Sequence, residues 1–125
     1  MRLLLDTHAL LWALGDPGEL KDEARSAIVN PDNEVLVSAA STWEIAIKSA
    51  RGKLRAPDDL SDQIAASQFD ELRITIVHTL AAGALPRHHA DPFDRLLVAQ
   101  AQLEGLALLT RDERLELYGV STLAA

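Results

Sequence analysis

Asp6, Glu44, Asp94 and Asp112 lie far apart in the chain, yet each stands at the carboxyl end of a short apolar run or in the first turn of the helical segment that follows. An open sheet of parallel strands gathers such positions into one crevice beyond the carboxyl ends of its strands, where ligands bind. Four carboxylates collected there cannot all stay ionised without a counter-ion. An oxygen-rich anionic pocket of this kind suits Mg²⁺ or Mn²⁺ rather than zinc. The chain has no cysteine, which removes disulfides, thiolate zinc sites and cysteine nucleophiles together. Carboxylates, four histidines and hydroxyls are left to carry a reaction. Thr110, at the end of the run Leu106 to Leu109, stands beside Asp112 where that chemistry is expected.

Each acid also has a plain structural reading. Glu44 follows Ser41 by three residues, the spacing of a capping box. Asp91 fits a helix cap, Asp94 a dipole-favoured neighbour of it, and Asp112 a cap for the last helix. Asp6 is the hardest to explain by packing, because it is a lone acid between a buried strand and an apolar helix. His88 and His89, in the loop before Asp91, are placed to touch a substrate phosphate, whereas His8 and His78 read as half-buried packing residues. Trp12, Trp43 and Phe93 read as core or interface. Lys48, Arg51, Lys53 and Arg55 form a basic cluster that either guides a phosphate backbone or is a solvated face.

The elements that must position these groups are legible from periodicity. Arg2 to Leu5 is an apolar strand ended by Asp6, and Thr7 to Leu14 runs at helical spacing into the breaker Gly15-Asp16-Pro17-Gly18. Glu19 to Val29 reads as a helix, Asn30 to Asn33 as a turn, and Glu34 to Val37 as a second strand with Ser38 at its end. From Ser41 a helix with Trp43, Ala46, Ile47 and Ala50 on its apolar face runs toward Gly52. Pro57 to Phe69 is a further amphipathic helix, Leu72 to Val77 has the β-branched density of a third strand, and a short helix spans Thr79 to Ala84. Asp91 as N-cap, Pro92 at the first helical position and Gly105 as the stop delimit a helix, and Leu106 to Leu109 is the strand after it. Glu113 to Tyr118 and Val120 to Leu123 complete the chain as helix and strand. This alternation predicts one α/β domain over residues 1–125, with a mostly parallel sheet, right-handed crossovers and helices on both faces.

Length and composition set the outer bounds. A chain of 125 residues with 48% hydrophobic content supports one ordinary core and not two. No apolar run is long enough to span a bilayer and the N-terminus does not read as a signal peptide, so a cytoplasmic protein without membrane contact is expected. A net charge of −7 weighs against nucleic acid as a partner when charge alone is counted. A bound divalent cation reverses the local field, so an acidic protein can still handle a phosphodiester.

The segments LLLDTHALLWAL, SAASTWEIAIK, DPFDRLLVAQA and LLTRD, in this order and spacing, resemble those of the PIN-domain ribonucleases, specifically the VapC-type toxins of toxin–antitoxin pairs. The likeness covers essentially the whole chain. It implies an acidic quartet of Asp6, Glu44, Asp94 and Asp112, with Asp6, Asp94 and Asp112 as metal ligands, Thr110 as the family's hydroxyl and Asp91 as an accessory acid. It implies a PIN-type sheet of about five strands, Mg²⁺-dependent cleavage of RNA, and a small VapB-like antitoxin. It also implies a homodimer, alone or within a larger assembly with the antitoxin. Two other classes are weighed against it. A receiver-type signalling domain carries adjacent acids after its first strand and a lysine after its last, whereas here Asp6 is followed by Thr7 and His8. A catalytically silent binding module of the same fold is distinguished by metal-dependent RNA cleavage, which it lacks.

Overall fold

The computed structural model describes residues 1–125. Five strands, β1 (Arg2–Leu5), β2 (Glu34–Ser38), β3 (Asp70–Leu72), β4 (Ala107–Thr110) and β5 (Thr122–Ala124), form one sheet in the order β3-β2-β1-β4-β5. Every neighbouring pair is parallel. Helices α1 (Thr7–Gly15), α2 (Asp22–Val29), α3 (Ala39–Ala50), α4 (Leu60–Ala66), α5 (Ile76–Ala84) and α6 (Pro92–Glu104) connect them, with 3₁₀ turns at Pro17–Glu19 and Glu113–Tyr118. Strand side chains alternate between the two faces, as a period of two requires. Leu3, Leu5, Val35, Val37 and Leu109 pack with Ala9 and Leu10 of α1 and Ala24 of α2. Leu4, Leu36 and Leu108 pack on the opposite face with Leu97, Val98 and Ala101 of α6. Both faces are therefore covered, as expected for an all-parallel sheet. No helix is long and apolar enough to cross a membrane.

The register fixes the functional edge. Leu5 pairs with Val37 on one side and Leu109 on the other, so Asp6, Ser38 and Thr110 are the next residues on three adjacent strands. From the central β1 the chain order runs outward in both directions, which opens a crevice at this edge.

Several expectations are corrected. The β-branched stretch Leu72 to Val77 is not a strand: β3 is Asp70–Leu72 and α5 already begins at Ile76. Thr75 and His78 cap that helix reciprocally, the Thr75 hydroxyl accepting from His78 N at 3.2 Å and His78 Nδ1 accepting from Thr75 N at 3.1 Å. Ile76 and Val77 are left facing solvent. Helix α3 starts at Ala39 with Ser38 as its cap, not at Ser41, and it buries Ala40, Ser41, Glu44 and Ile45. Trp43, Ala46 and Ala50, expected to face the core, are exposed. Its buried face thus carries a glutamate where periodicity placed apolar residues. The helix expected over Pro57 to Phe69 is shorter, Leu60–Ala66, and that over Glu19 to Val29 is split by Leu20 and Lys21 into a 3₁₀ turn and α2.

Candidate metal centre

Asp6, Glu44, Asp94, Asp112 and Asp91 line one cavity of about 500 Å³, together with Thr7, His8, Trp12, Lys48, His89, Arg111 and Arg114. Local structure accounts for each position. Asp6 leaves β1 in an extended conformation and caps α1, its Oδ1 accepting from Ala9 N at 2.8 Å. It is buried, and the neighbouring Thr110 hydroxyl favours its ionised form. Thr110 Oγ1 also accepts from Asp112 N at 3.0 Å. Asp91 caps α6, accepting from Phe93 N at 2.8 Å and Asp94 N at 3.3 Å, with Pro92 at the first helical position. Asp94 then faces the cavity from the first turn of α6.

Glu44 is not part of a capping box. It is buried one turn into α3, where Oε1 accepts from the Thr7 hydroxyl at 2.5 Å and Oε2 pairs with Lys48 Nζ at 2.5 Å. Ser41, its supposed capping partner, is buried with its hydroxyl unbonded. Asp112 does cap the last helical turn, with Oδ1 accepting from Arg114 N at 3.0 Å. The Arg114 guanidinium also grips both of its oxygens, Nε to Oδ1 at 3.0 Å and Nη2 to Oδ2 at 2.8 Å.

Electrostatics separates these carboxyls. Burial pushes the Asp6 carboxyl up, against the hydrogen bonds from Thr110 and Ala9. Asp94 is pushed up to about 7, by burial first and by the charge of Asp91 second. Asp112 is lowered to about 2, chiefly by the hydrogen bond from Arg114. The hydrogen bond to Glu44 raises Lys48. Mutual repulsion alone would have raised Asp112 as well, so burial and pairing outweigh repulsion in deciding which acid holds its proton.

Not every residue singled out in the sequence reaches this cavity. Lys48 and His89 do, whereas Arg51, Lys53 and Arg55 are exposed outside it, Arg55 beside Leu11 and Leu14 in a separate groove. His88 is exposed and packs against the Tyr118 ring at 5.0 Å. His8 is an exposed residue at the cavity rim, not a half-buried one, with its ring 5.7 Å from Trp12. His78 is fully buried beneath α6, bonded to Glu104 at 2.8 Å. His89, Asp94 and Asp112 bring their ligand atoms within 4.8 Å of one another, a group that does not include Asp6. Neither periodicity nor motif singles out Thr7, Arg111, Arg114 or Arg95. Lys48 at four residues from Glu44 on one helix is a spacing that announces an ion pair, whereas Arg114 at two from Asp112 is not. Arg95 in the first turn of a helix opposes the dipole, a signal that it is held there for another purpose. It donates to the carbonyls of Ala82, Leu85, Pro86 and His89 and so pins the loop before α6.

Comparison with known proteins agrees with this architecture. The PIN domain matches residues 3–120. The chain is 35% identical over 116 residues to Ribonuclease VapC22 of Mycobacterium tuberculosis, covering 90% of this chain and 88% of that protein. Among solved structures, VapBC2 from Rickettsia felis bound to a DNA fragment from its promoter is similar with a TM-score of 0.72 at 14% identity, over 98% of both chains. VapBC-1 from nontypeable Haemophilus influenzae gives 0.66 at 17% identity, over 98% and 97%. With the acids collected at the sheet edge and the match running from β1 to the residues before β5, the chain belongs to the PIN-domain family.

Proposed function

We propose that this protein is a Mg²⁺-dependent endoribonuclease, with Mn²⁺ as the alternative ion, and the toxin of a toxin–antitoxin pair. The observation that supports it best is that Asp6 and Asp94 face the cavity without any lysine or arginine paired to them, while Glu44 and Asp112 each have one. The donor set fits a hard cation, because carboxylate and hydroxyl oxygens predominate and no thiolate is present. Asp6 and Asp94 are the residues we assign to hold the ion, with Asp112 joining them on the side of α6. When bound, the ion supplies an activated water for in-line attack on a phosphodiester and offsets charge on the leaving oxygen. Thr110 orients Asp6 and the backbone of Asp112. Thr7 and Lys48 hold Glu44 in one rotamer at the cavity wall, where it positions water. Arg111 and Arg114, with Lys48, put positive charge at the rim, where a phosphate backbone approaches an otherwise acidic surface.

The family relationship supports a small VapB-like antitoxin as partner, and an arginine or lysine reaching the acidic cavity is the contact we expect of it. Exposed Trp43 on α3 and Ile76, Val77 and Leu80 on α5 support a homodimer, alone or within that assembly. The test is incubation of purified protein with RNA in Mg²⁺. Cleavage abolished by EDTA and by Asp6→Asn and Asp94→Asn is the expected result; cleavage that persists in EDTA overturns the reading, and no cleavage under any divalent ion points to a silent binding module.

A further inference from the structure

His89, Asp94 and Asp112 have the composition of a three-residue metal site, with ligand atoms within 4.8 Å of one another. The hydrogen bonds around the imidazole point elsewhere. Asp91 N donates to His89 Nδ1 at 3.0 Å. A backbone amide is always a donor, so Nδ1 must present its lone pair. A neutral imidazole that accepts at Nδ1 carries its proton on Nε2. That nitrogen bonds Asp112 Oδ2 at 3.0 Å and lies 3.1 Å from Asp94 Oδ2. Asp112, held ionised by Arg114, can only accept, which suits an N–H and not a lone pair. To ligate an ion through Nε2, the ring would have to move its proton to Nδ1, where it would meet the Asp91 amide head on.

The ring is also clamped. Its side chain is 7% exposed. His89 N donates to the Tyr118 hydroxyl at 2.9 Å, and its carbonyl accepts from Arg95 Nη1 at 3.3 Å. The same guanidinium bonds the Ala82, Leu85 and Pro86 carbonyls, so the whole loop leading into α6 is tied to that helix. With the backbone of His89 so fixed, rotation of the imidazole away from the two acids would break the Asp91 bond.

We infer that His89 is a positioning residue of the metal centre and not one of its ligands: its Nε2–H draws the carboxylates of Asp94 and Asp112 together and fixes their orientation. Two like charges meeting at one nitrogen otherwise repel and splay. A donor held behind ligating carboxylates is what fixes their direction toward an ion. The inference rests on the proposal that Asp94 and Asp112 serve the ion site.

Two measurements test it without any cleavage assay. In protein with ¹⁵N-labelled histidine, NMR reads which ring nitrogen of His89 is protonated, before and after saturation with Mg²⁺. The expected result is Nε2–H in both states; a proton on Nδ1 after Mg²⁺ addition makes His89 a ligand and overturns the inference. Titration with Mn²⁺, followed by the electron paramagnetic resonance signal of the free ion, is expected to show about 10–100-fold weaker binding by His89→Ala. His89→Gln, whose amide N–H can still donate to Asp112, should recover most of that loss. Unchanged Mn²⁺ affinity in a folded His89→Ala variant overturns the role of His89 alone. Absence of Mn²⁺ binding by the unaltered protein overturns the metal reading, and this inference with it. Should His89→Ala fail to fold, the tautomer measured in the unaltered protein and the His89→Gln titration decide.

Discussion

The carboxyls of the acidic cavity fall into two sets held on different electrostatic plans. In one set Glu44 and Asp112 each carry a cation supplied by a near neighbour in sequence, Lys48 one turn along α3 and Arg114 two residues on. Both pairs form without any ligand. In the other set Asp6 is buried and Asp94 half-buried, both close to further acids, and they are answered only by hydroxyl and backbone N–H groups and by His89. Burying a carboxyl in this way is unfavourable in isolation, and its persistence marks a site kept for something that brings positive charge. Carboxylates without a resident cation are the ones most open to an ion, and Asp112 is proposed to join them while keeping its pair with Arg114.

The strongest way to break that contrast is to neutralise acids from both sets. Asp6→Asn and Asp94→Asn are expected to lower Mg²⁺-dependent RNA cleavage by ~10³-fold or more, since losing the ion forfeits several kcal/mol of transition-state stabilisation. Glu44→Gln, which keeps the shape and the Thr7 bond, is expected to cost only about 10–100-fold. Initial rates at saturating Mg²⁺, compared on one RNA, separate the two classes. Equal losses in all three variants would mean that the resident partners do not distinguish the two sets.

How far this contrast was legible in the sequence differs by layer. The alternation of strands and helices was visible because β1, β2 and β4 are continuous apolar runs, and α6 was legible in detail, with Asp91 as cap and Gly105 in the left-handed conformation at φ 68°. The acids were legible because three of them follow a strand or begin a helix. What periodicity could not reveal is which face of a helix turns inward when that face carries a functional acid. In α3 the apolar residues Trp43 and Ala46 give way to Glu44, because the buried side of this helix forms the cavity wall. The β-branched run Ile74 to Val77 misled for a related reason: reciprocal capping by Thr75 and His78 outweighed β-propensity and started α5. His89 was noticed as a loop histidine near the acids, but its hydrogen-bond partners belong to three separate segments, and no spacing within one segment encodes them.

A smaller effect sharpens the contrast through stability. An ion that binds the folded state alone stabilises it by ~2.7 kcal/mol at a hundredfold excess over its dissociation constant. Thermal melting is expected to show that gain for the unaltered protein on adding Mg²⁺ after EDTA. It should be smaller in Asp94→Asn and nearly intact in Arg114→Ala, because removing Arg114 leaves the carboxylate of Asp112 in place. A full Mg²⁺ response in Asp94→Asn would make Asp94 a helix-terminal residue and nothing more.

The finest test is the pH dependence of the metal-free protein, where Asp112 and Asp94 should act with opposite sign. Asp112, lowered from 3.8 to about 2, contributes stability that is present above 3.8 and is lost as pH falls toward 2. Asp94, raised from 3.8 to about 7, behaves the other way. Between those two values the folded state holds a proton that the unfolded chain has released. The number of protons bound in the unfolded state minus that in the native state is then negative, and unfolding free energy falls as pH rises. Asp6, also raised, adds to the same slope. A tenfold change in the acidity of a carboxyl on folding corresponds to about 1.4 kcal/mol, so the slope is measurable although water and counter-ions entering the cavity reduce it. Asp94→Asn removes the group that loses its proton. In EDTA at pH 8 this variant is therefore expected to be more stable than the unaltered protein by ~0.5–2 kcal/mol, although inactive, as is common when a functional site is relieved of strain. At pH 4, where Asp94 is protonated, the two should melt together. Denaturant unfolding at both pH values measures the difference, and a variant that is less stable at pH 8 would show that Asp94 is satisfied without an ion and belongs with the paired carboxylates.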